Sequence, residues 1–180
     1  MLMLLIAMFP AYTNVKMKEI VLLVHDIRSC HNVGSLLRTA EGLGVSRVFF
    51  SGYTPYPSLP EDTRLPHIHQ KLTKQISKTA LGAETSQPWE YRESITDLIQ
   101  ELTVAGYTIL GLEQTADSIP LQEYKSSGKV ALLLGREVEG IDTELLKHVD
   151  NTVVIPMFGT KESFNVVQAA AMALYQLKFH

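Results

Sequence analysis

The chain has 180 residues, 46% apolar and 19% charged, proportions that exclude a disordered segment and suit one folded domain with a substantial core. Sixteen Lys and Arg against 19 Asp and Glu leave a formal charge of −3, too acidic for a protein that holds nucleic acid by bulk attraction alone. A lone cysteine, Cys30, excludes an intrachain disulfide and suits a reducing, cytoplasmic setting; it reads as structural more readily than as a nucleophile.

Met1 to Phe9 is apolar and uncharged. It falls short of the roughly 20 residues a bilayer span needs, and it lacks the positive start of a secretory signal. Residues 1–16 therefore read as an extension, either a strand or packing arm or the product of an upstream start. The folded domain is expected over residues 17–180, with no membrane involvement.

Ile20 to His25 is a short apolar run, as in a strand buried on both faces. Asp26 to Asn32 is turn-like. Val33, Leu36, Leu37, Ala40 and Leu43 then recur at helical spacing, with Gly44 as the stop. Arg47 to Ser51 is a second strand, which completes a β-α-β unit. Gly52 to Pro66 holds four prolines and predicts an extended, partly mobile loop. A helix is expected over Gln70–Leu81 and a short strand over Gln87–Tyr91. Ser94 followed by Asp97 marks a helix start, and Gly106 its end. Strands follow at Tyr107–Leu112, Lys129–Leu134 and Thr152–Ile155, with a short helix at Asp142–Lys147 and a closing helix at Asn165–Leu177. This alternation predicts an α/β domain with a mostly parallel sheet and helices on both faces.

Three polar segments interrupt the packing pattern, each just beyond a strand, where open α/β sheets collect ligands. The first is Asn32-Val33-Gly34 with Arg38. Gly34 permits close approach of a backbone or ligand. Arg38 borders an apolar stripe and is either paired with an acid or held ready for a phosphate. Asn32 and Arg38 are expected to project toward the same end of the helix. The second is Gly135-Arg136-Glu137-Val138-Glu139-Gly140; it is either a ligand loop or a βα turn with acids at a helix start. The third runs from Ile155-Pro156-Met157 through Ser163-Phe164-Asn165, where Ser163 is a candidate helix cap and Asn165 an amide in need of a partner.

Other chemistries lack their signatures. There is no phosphate-binding P-loop, no dinucleotide fingerprint, no nucleophile elbow and no His/Cys zinc spacing. Between Thr63 and Ala83 there are no acids, whereas Arg64, Lys71, Lys74 and Lys78 are present. This is either a solvated lysine-rich helix or a local nucleic-acid face on an acidic body.

Taken together and in order, these segments resemble the SpoU (TrmH-like) branch of the SPOUT RNA 2′-O-ribose methyltransferases. Asn32-Val33-Gly34-Ser35-Leu36-Leu37-Arg38-Thr39-Ala40 is similar to the first motif, and Leu134-Gly135-Arg136-Glu137-Val138-Glu139-Gly140-Ile141 to the second. Ile155-Pro156-Met157 with Ser163-Phe164-Asn165-Val166 is similar to the third. The resemblance begins near Ile20 and runs to the C-terminus. It implies a C-terminal trefoil knot, a homodimer, and S-adenosyl-L-methionine as cofactor, held by Leu112, Gly135, Ile155, Met157, Ser163 and Phe164. It further implies methylation of a ribose 2′-hydroxyl of tRNA or rRNA, with Arg38, Asn32, Glu137, Ser163 and Asn165 as catalytic residues and no metal. Arg64, Lys71, Lys74 and Lys78 become candidate contacts to the structured RNA. Two positions depart from the family pattern: Phe164 replaces a leucine and Val167 a serine. Val167 and the acidic net charge support an alternative, a catalytically inactive SPOUT-fold RNA-binding protein.

Overall fold

The aliphatic runs of the sequence become one sheet in the computed structural model, which describes residues 18–125 and 128–180. In chain order the elements are β1 (Ile20–His25), α1 (Cys30–Gly42), β2 (Arg47–Ser51), α2 (Pro66–Ala80), α3 (Ala83–Ser86) and β3 (Trp89–Arg92). There follow α4 (Ile95–Val104), β4 (Tyr107–Leu112), β5 (Ile119–Pro120), β6 (Lys129–Leu134), α5 (Thr143–Leu146), β7 (Asn151–Val154) and α6 (Val166–Phe179). The sheet has seven strands in the order β3-β2-β1-β6-β4-β7-β5, and every pairing among them is parallel.

The continuous apolar strands are explained by what covers them. In β1, Ile20, Leu22 and Val24 pack with residues of α1, α2 and α6, whereas Val21 and Leu23 pack with α4 and α5 on the opposite face. Both faces are dry, so a strand cannot alternate polar and apolar residues. Each fully buried Leu or Ile contributes about 1.5–3 kcal/mol by leaving water. The expected α/β class, with a mostly parallel sheet and helices on both faces, is what the chain adopts. The expected extension over residues 1–16 lies outside the described residues.

Element boundaries move where a cap, rather than periodicity, decides them. α1 begins three residues before the predicted Val33 because Ser29 caps it, accepting from the Asn32 amide at 3.2 Å. α2 starts at Pro66 instead of Gln70, since proline suits the first helical position. The closing helix is capped by Asn165, whose Oδ1 accepts from the Val167 amide at 2.9 Å; the expected cap, Ser163, lies upstream of it.

Gly34 serves helix packing. A Cβ there would sit 2.2 Å from the Ile76 carbonyl oxygen and 2.3 Å from Thr79 Oγ1, so only glycine lets α1 and α2 approach this closely. The proline-rich loop is tied down by its own side chains rather than left loose. Ser58 bonds Thr73 and His69 of α2 at 2.7–2.8 Å. The Arg64 guanidinium donates to the carbonyls of Tyr56 (3.1 Å) and Pro57 (3.0 Å). At the C-terminal end, the buried Lys178 ammonium donates to the Gly44 carbonyl at 3.0 Å, and burial holds its pKa below the usual lysine value.

Candidate active site at the strand ends

β6 enters the sheet between β1 and β4, so strands distant in sequence end side by side. Such a switch in strand order leaves a crevice beyond the carboxyl ends. One cleft opens there, and Leu112, Gly135, Ile155, Met157, Ser163 and Phe164 all line it. The second and third polar segments of the sequence therefore meet in space, and Asn32 of the first is hydrogen-bonded to both.

Glu137 joins them. Its carboxylate accepts from the backbone amides of Arg28 and Ser29, each at 3.3 Å, and from Asn32 Nδ2 at 3.2 Å. A carboxylate at the start of α1 is favoured by the helix dipole. Asn32 Oδ1 in turn accepts from Asn165 Nδ2 at 3.4 Å. Asn165 holds the other end of this chain by capping α6. Glu137, Asn32 and Asn165 thus fix one another's orientation across three loops, and the amide of Asn165 finds the partner its position calls for.

The turn after β6 is narrow for steric reasons. Arg136 and Gly140 exchange backbone hydrogen bonds at 3.0 and 3.1 Å. A Cβ on Gly135 would lie 2.5 Å from the Gly140 carbonyl carbon, so this glycine admits its own loop rather than a ligand. Gly140 adopts φ +74°, and a Cβ there would lie 2.1 Å from Glu113 Oε2. Glu113 accepts from the Ile141 amide at 2.7 Å, which clamps the turn against the end of β4. Sequence reasoning missed Glu113; the only local signal was an acid directly after a buried strand. Arg136 lines the cleft but is engaged by acids, with Nε 3.5 Å from Asp26 and Nη2 3.8 Å from Asp142.

Arg38 stands apart. It is exposed on α1, does not line the cleft, and has no acid or hydrogen-bond partner among the described residues. Six residues separate it from Asn32, about 9 Å along the axis and about 120° around it, so the two side chains do not project toward the same end of the helix as expected. Its charge is hydrated, which removes both the expected burial cost and the expected acid partner.

The basic stretch divides. Lys71, Lys74 and Lys78 are exposed on α2 at spacings of three and four, which places them along one face. Arg64 is turned inward: its guanidinium lies 2.5 Å from Asp62, stacks 3.7 Å from the Tyr56 ring centroid, and holds the Asp62 carboxyl well below the usual carboxylate range. Cys30 is half-buried, and burial pushes its thiol pKa up, which argues against a nucleophile. Among the described residues no cluster of His, Cys, Asp and Glu could hold a metal, and no helix is long and apolar enough to cross a membrane.

A parallel sheet with a cleft at its strand-order switch, closed by polar side chains from three loops, defines an α/β ligand-binding domain. The chain belongs to the SpoU rRNA Methylase family, which it matches over residues 19–175. It is 30% identical over 165 residues to a 23S rRNA (guanosine-2′-O-)-methyltransferase of Neisseria meningitidis, covering 92% of this chain and 60% of that protein. It is 23% identical over 164 residues to a tRNA (guanosine(18)-2′-O)-methyltransferase of Aquifex aeolicus, covering 89% and 69% of the two chains. The fold superposes on an AdoMet-bound rRNA methyltransferase of Sinorhizobium meliloti with a TM-score of 0.74 at 22% identity, covering 90% of this chain and 56% of that one. The chain thus spans about three fifths of the rRNA enzyme's length.

Proposed function

We propose that this chain transfers a methyl group from S-adenosyl-L-methionine to a ribose 2′-hydroxyl of tRNA or rRNA. The observation that carries this reading is the hydrogen-bonded meeting of Glu137, Asn32 and Asn165 beside one cleft, which Glu137 lines. The relatives named above add support, being methyltransferases of guanosine 2′-hydroxyls by name.

The cleft suits the cofactor chemically. Leu112, Ile155, Met157 and Phe164 would offer apolar surface to a flat base, and Glu162 would offer a carboxylate to cationic or hydroxyl groups. The bound sulfonium supplies an already activated methyl, so the protein's task is alignment and handling of the hydroxyl proton. Glu137, held by three donors, orients the Asn32 amide. Ser163 lines the cleft as a neutral hydroxyl for positioning. A guanidinium is a poor base, so Arg38 serves as a phosphate anchor and oxyanion stabiliser.

Since Arg38 does not line the cleft of its own chain, a homodimer gives it a cleft to serve. An apolar surface supports that assembly. Tyr175 and Phe179 are exposed on α6 with ring centroids 4.8 Å apart, and Met172, Leu121 and Pro156 line the groove beside Tyr175. Tyr175→Glu is expected to yield monomers in sedimentation and to abolish methylation. The C-terminal trefoil knot and the cytoplasmic setting belong to the same reading. Lys71, Lys74 and Lys78 offer a basic face for structured RNA, with Arg64 shaping the adjacent loop.

The inactive alternative rests on Val167 and on the acidic net charge, of which the basic face of α2 answers the second. The Val167 amide is taken up by Asn165 Oδ1 and its side chain packs on the core, so the missing hydroxyl leaves no orphaned group among the described residues. The test is incubation of the full chain with labelled S-adenosyl-L-methionine and total unmodified RNA. Ribose methylation is expected, and calorimetric cofactor binding with no methyl transfer would favour the inactive alternative.

A further inference from the structure

The loop after β2 presents an aromatic ring to solvent. Tyr53 is 49% exposed, although its backbone is among the most constrained in the chain. The Tyr53 amide donates to Asp26 Oδ1 at 3.1 Å. Asp26 is itself nearly buried in a left-handed conformation, φ +57°, which is strained for a residue with a side chain. Gly52 before the ring has φ +63°, and a Cβ there would lie 1.9 Å from Asp26 Oδ1. The Gly52 carbonyl accepts from the Tyr91 hydroxyl at 3.0 Å, and Thr54 after the ring is buried, its hydroxyl donating to the Val24 carbonyl. A turn locked on both sides, and strained to stay so, holds a ring half in water.

That ring is coupled to the cleft. The Arg28 guanidinium lies 5.6 Å over its centroid, and the Arg28 side chain is 70% exposed. The Arg28 amide is one of the donors to Glu137, and its guanidinium lies 3.7 Å from Glu139; both acids line the cleft. Only one residue therefore separates the ring from the group that joins the three loops.

We propose that Tyr53 is a stacking platform for an unpaired nucleobase of the RNA substrate, with Arg28 holding the ring from one side and meeting a backbone phosphate. The proposal rests on the methyl-transfer reading above and names a specificity element that the motifs do not contain. A rigid exposed aromatic beside an arginine is how proteins take splayed, single-stranded bases; a stacked duplex offers no free base face there. A ring beside the cleft would hold such a splayed nucleotide with its ribose next to the cleft.

The test uses the full chain with S-adenosyl-L-methionine bound and fluorescence anisotropy of a short, unstructured, end-labelled RNA and of a duplex of the same sequence. Tyr53→Ala and Tyr53→Leu are expected to weaken single-strand binding by roughly tenfold or more, and Tyr53→Phe to retain it. Duplex binding and calorimetric cofactor affinity should not change. Arg28→Ala should lower the dependence of binding on salt by about one phosphate contact. Equal single-strand affinity for wild type and Tyr53→Ala would overturn the stacking role while leaving methyl transfer intact. Equal loss on single strand and duplex would overturn it in favour of general attraction. Failure of the wild-type protein to bind RNA at all would overturn this proposal together with the RNA substrate on which it rests.

Discussion

Two arginines divide the molecule into regions of opposite logic. Arg64, in the loop before α2, gives its guanidinium to the Asp62 carboxylate, two backbone carbonyls and the face of Tyr56. Arg38, on α1, is exposed and engages nothing among the described residues. Both are single cations in a short basic or motif-bearing segment, and charge alone treats them alike. Geometry separates a guanidinium that closes a loop from one that is free for a phosphate or a developing oxyanion.

The largest expected effect follows from Arg38. Arg38→Ala should lower the methylation rate by at least about a hundredfold, the scale of removing one preorganised charge donor. Thermal stability and calorimetric cofactor affinity should stay at wild-type values, because that side chain has no hydrogen-bond or acid partner among the described residues. A melting point that fell with the activity would erase the contrast with Arg64.

Next comes Asn32→Asp. The substitution keeps the shape but replaces the amide donor with a second carboxylate against Glu137. Like charges at hydrogen-bond distance repel, so the loops that meet there should part. An activity loss of about tenfold or more is expected, with a rise in the Kd for cofactor. Asn32→Ala should do less harm than Asn32→Asp, and the reverse order would mean that orientation of the amide is not its role.

Arg64→Ala sharpens the comparison from the other side. Losing two carbonyl bonds and the ring stack should destabilise the fold by about 2 kcal/mol, roughly 5 °C in Tm, measurable by calorimetry. Methylation at 25 °C should stay within a few-fold of wild type. An unchanged Tm with lost RNA binding would move Arg64 to the functional group.

The smallest expected effect is a pH dependence at His25. Burial lowers its pKa below the ordinary 6.5, Asp26 and Asp142 raise it, and Arg136 lowers it. The unfolded chain therefore binds the proton more readily than the folded one. Stability contributed above pH 6.5 is lost as pH falls from 6.5 through the folded value. His25→Asn should flatten denaturant midpoints across that window. A midpoint that rose on acidification would reverse the assigned direction.

Much of the fold was legible because burial on both faces leaves an unmistakable aliphatic run, as in β1 and β6. The polar segments were legible for the opposite reason, since they broke that pattern at strand ends. What the sequence left open depends on contacts between distant positions. β5 is a two-residue strand, defined by its pairing with β7 rather than by composition. The inward turn of Arg64 and the clamp of Glu113 on the Gly140 turn are long-range or side-chain events with no periodicity. The cap of α6 went to Asn165 instead of Ser163 because the helix starts one residue later than the pattern suggests, where the amide reaches the Val167 N–H.

The central claim is that three loops, locked by Glu137, Asn32 and Asn165, aim a methyl group at a ribose oxygen steadied by Arg38. The most direct measurement is mass spectrometry of nucleosides from unmodified RNA treated with S-adenosyl-L-methionine and either the wild-type chain or Arg38→Ala. The account predicts a ribose-methylated nucleoside from the wild type and none from the variant, which should still bind the cofactor. A methyl group found on a base, or a ribose methyl formed equally well by Arg38→Ala, would contradict it.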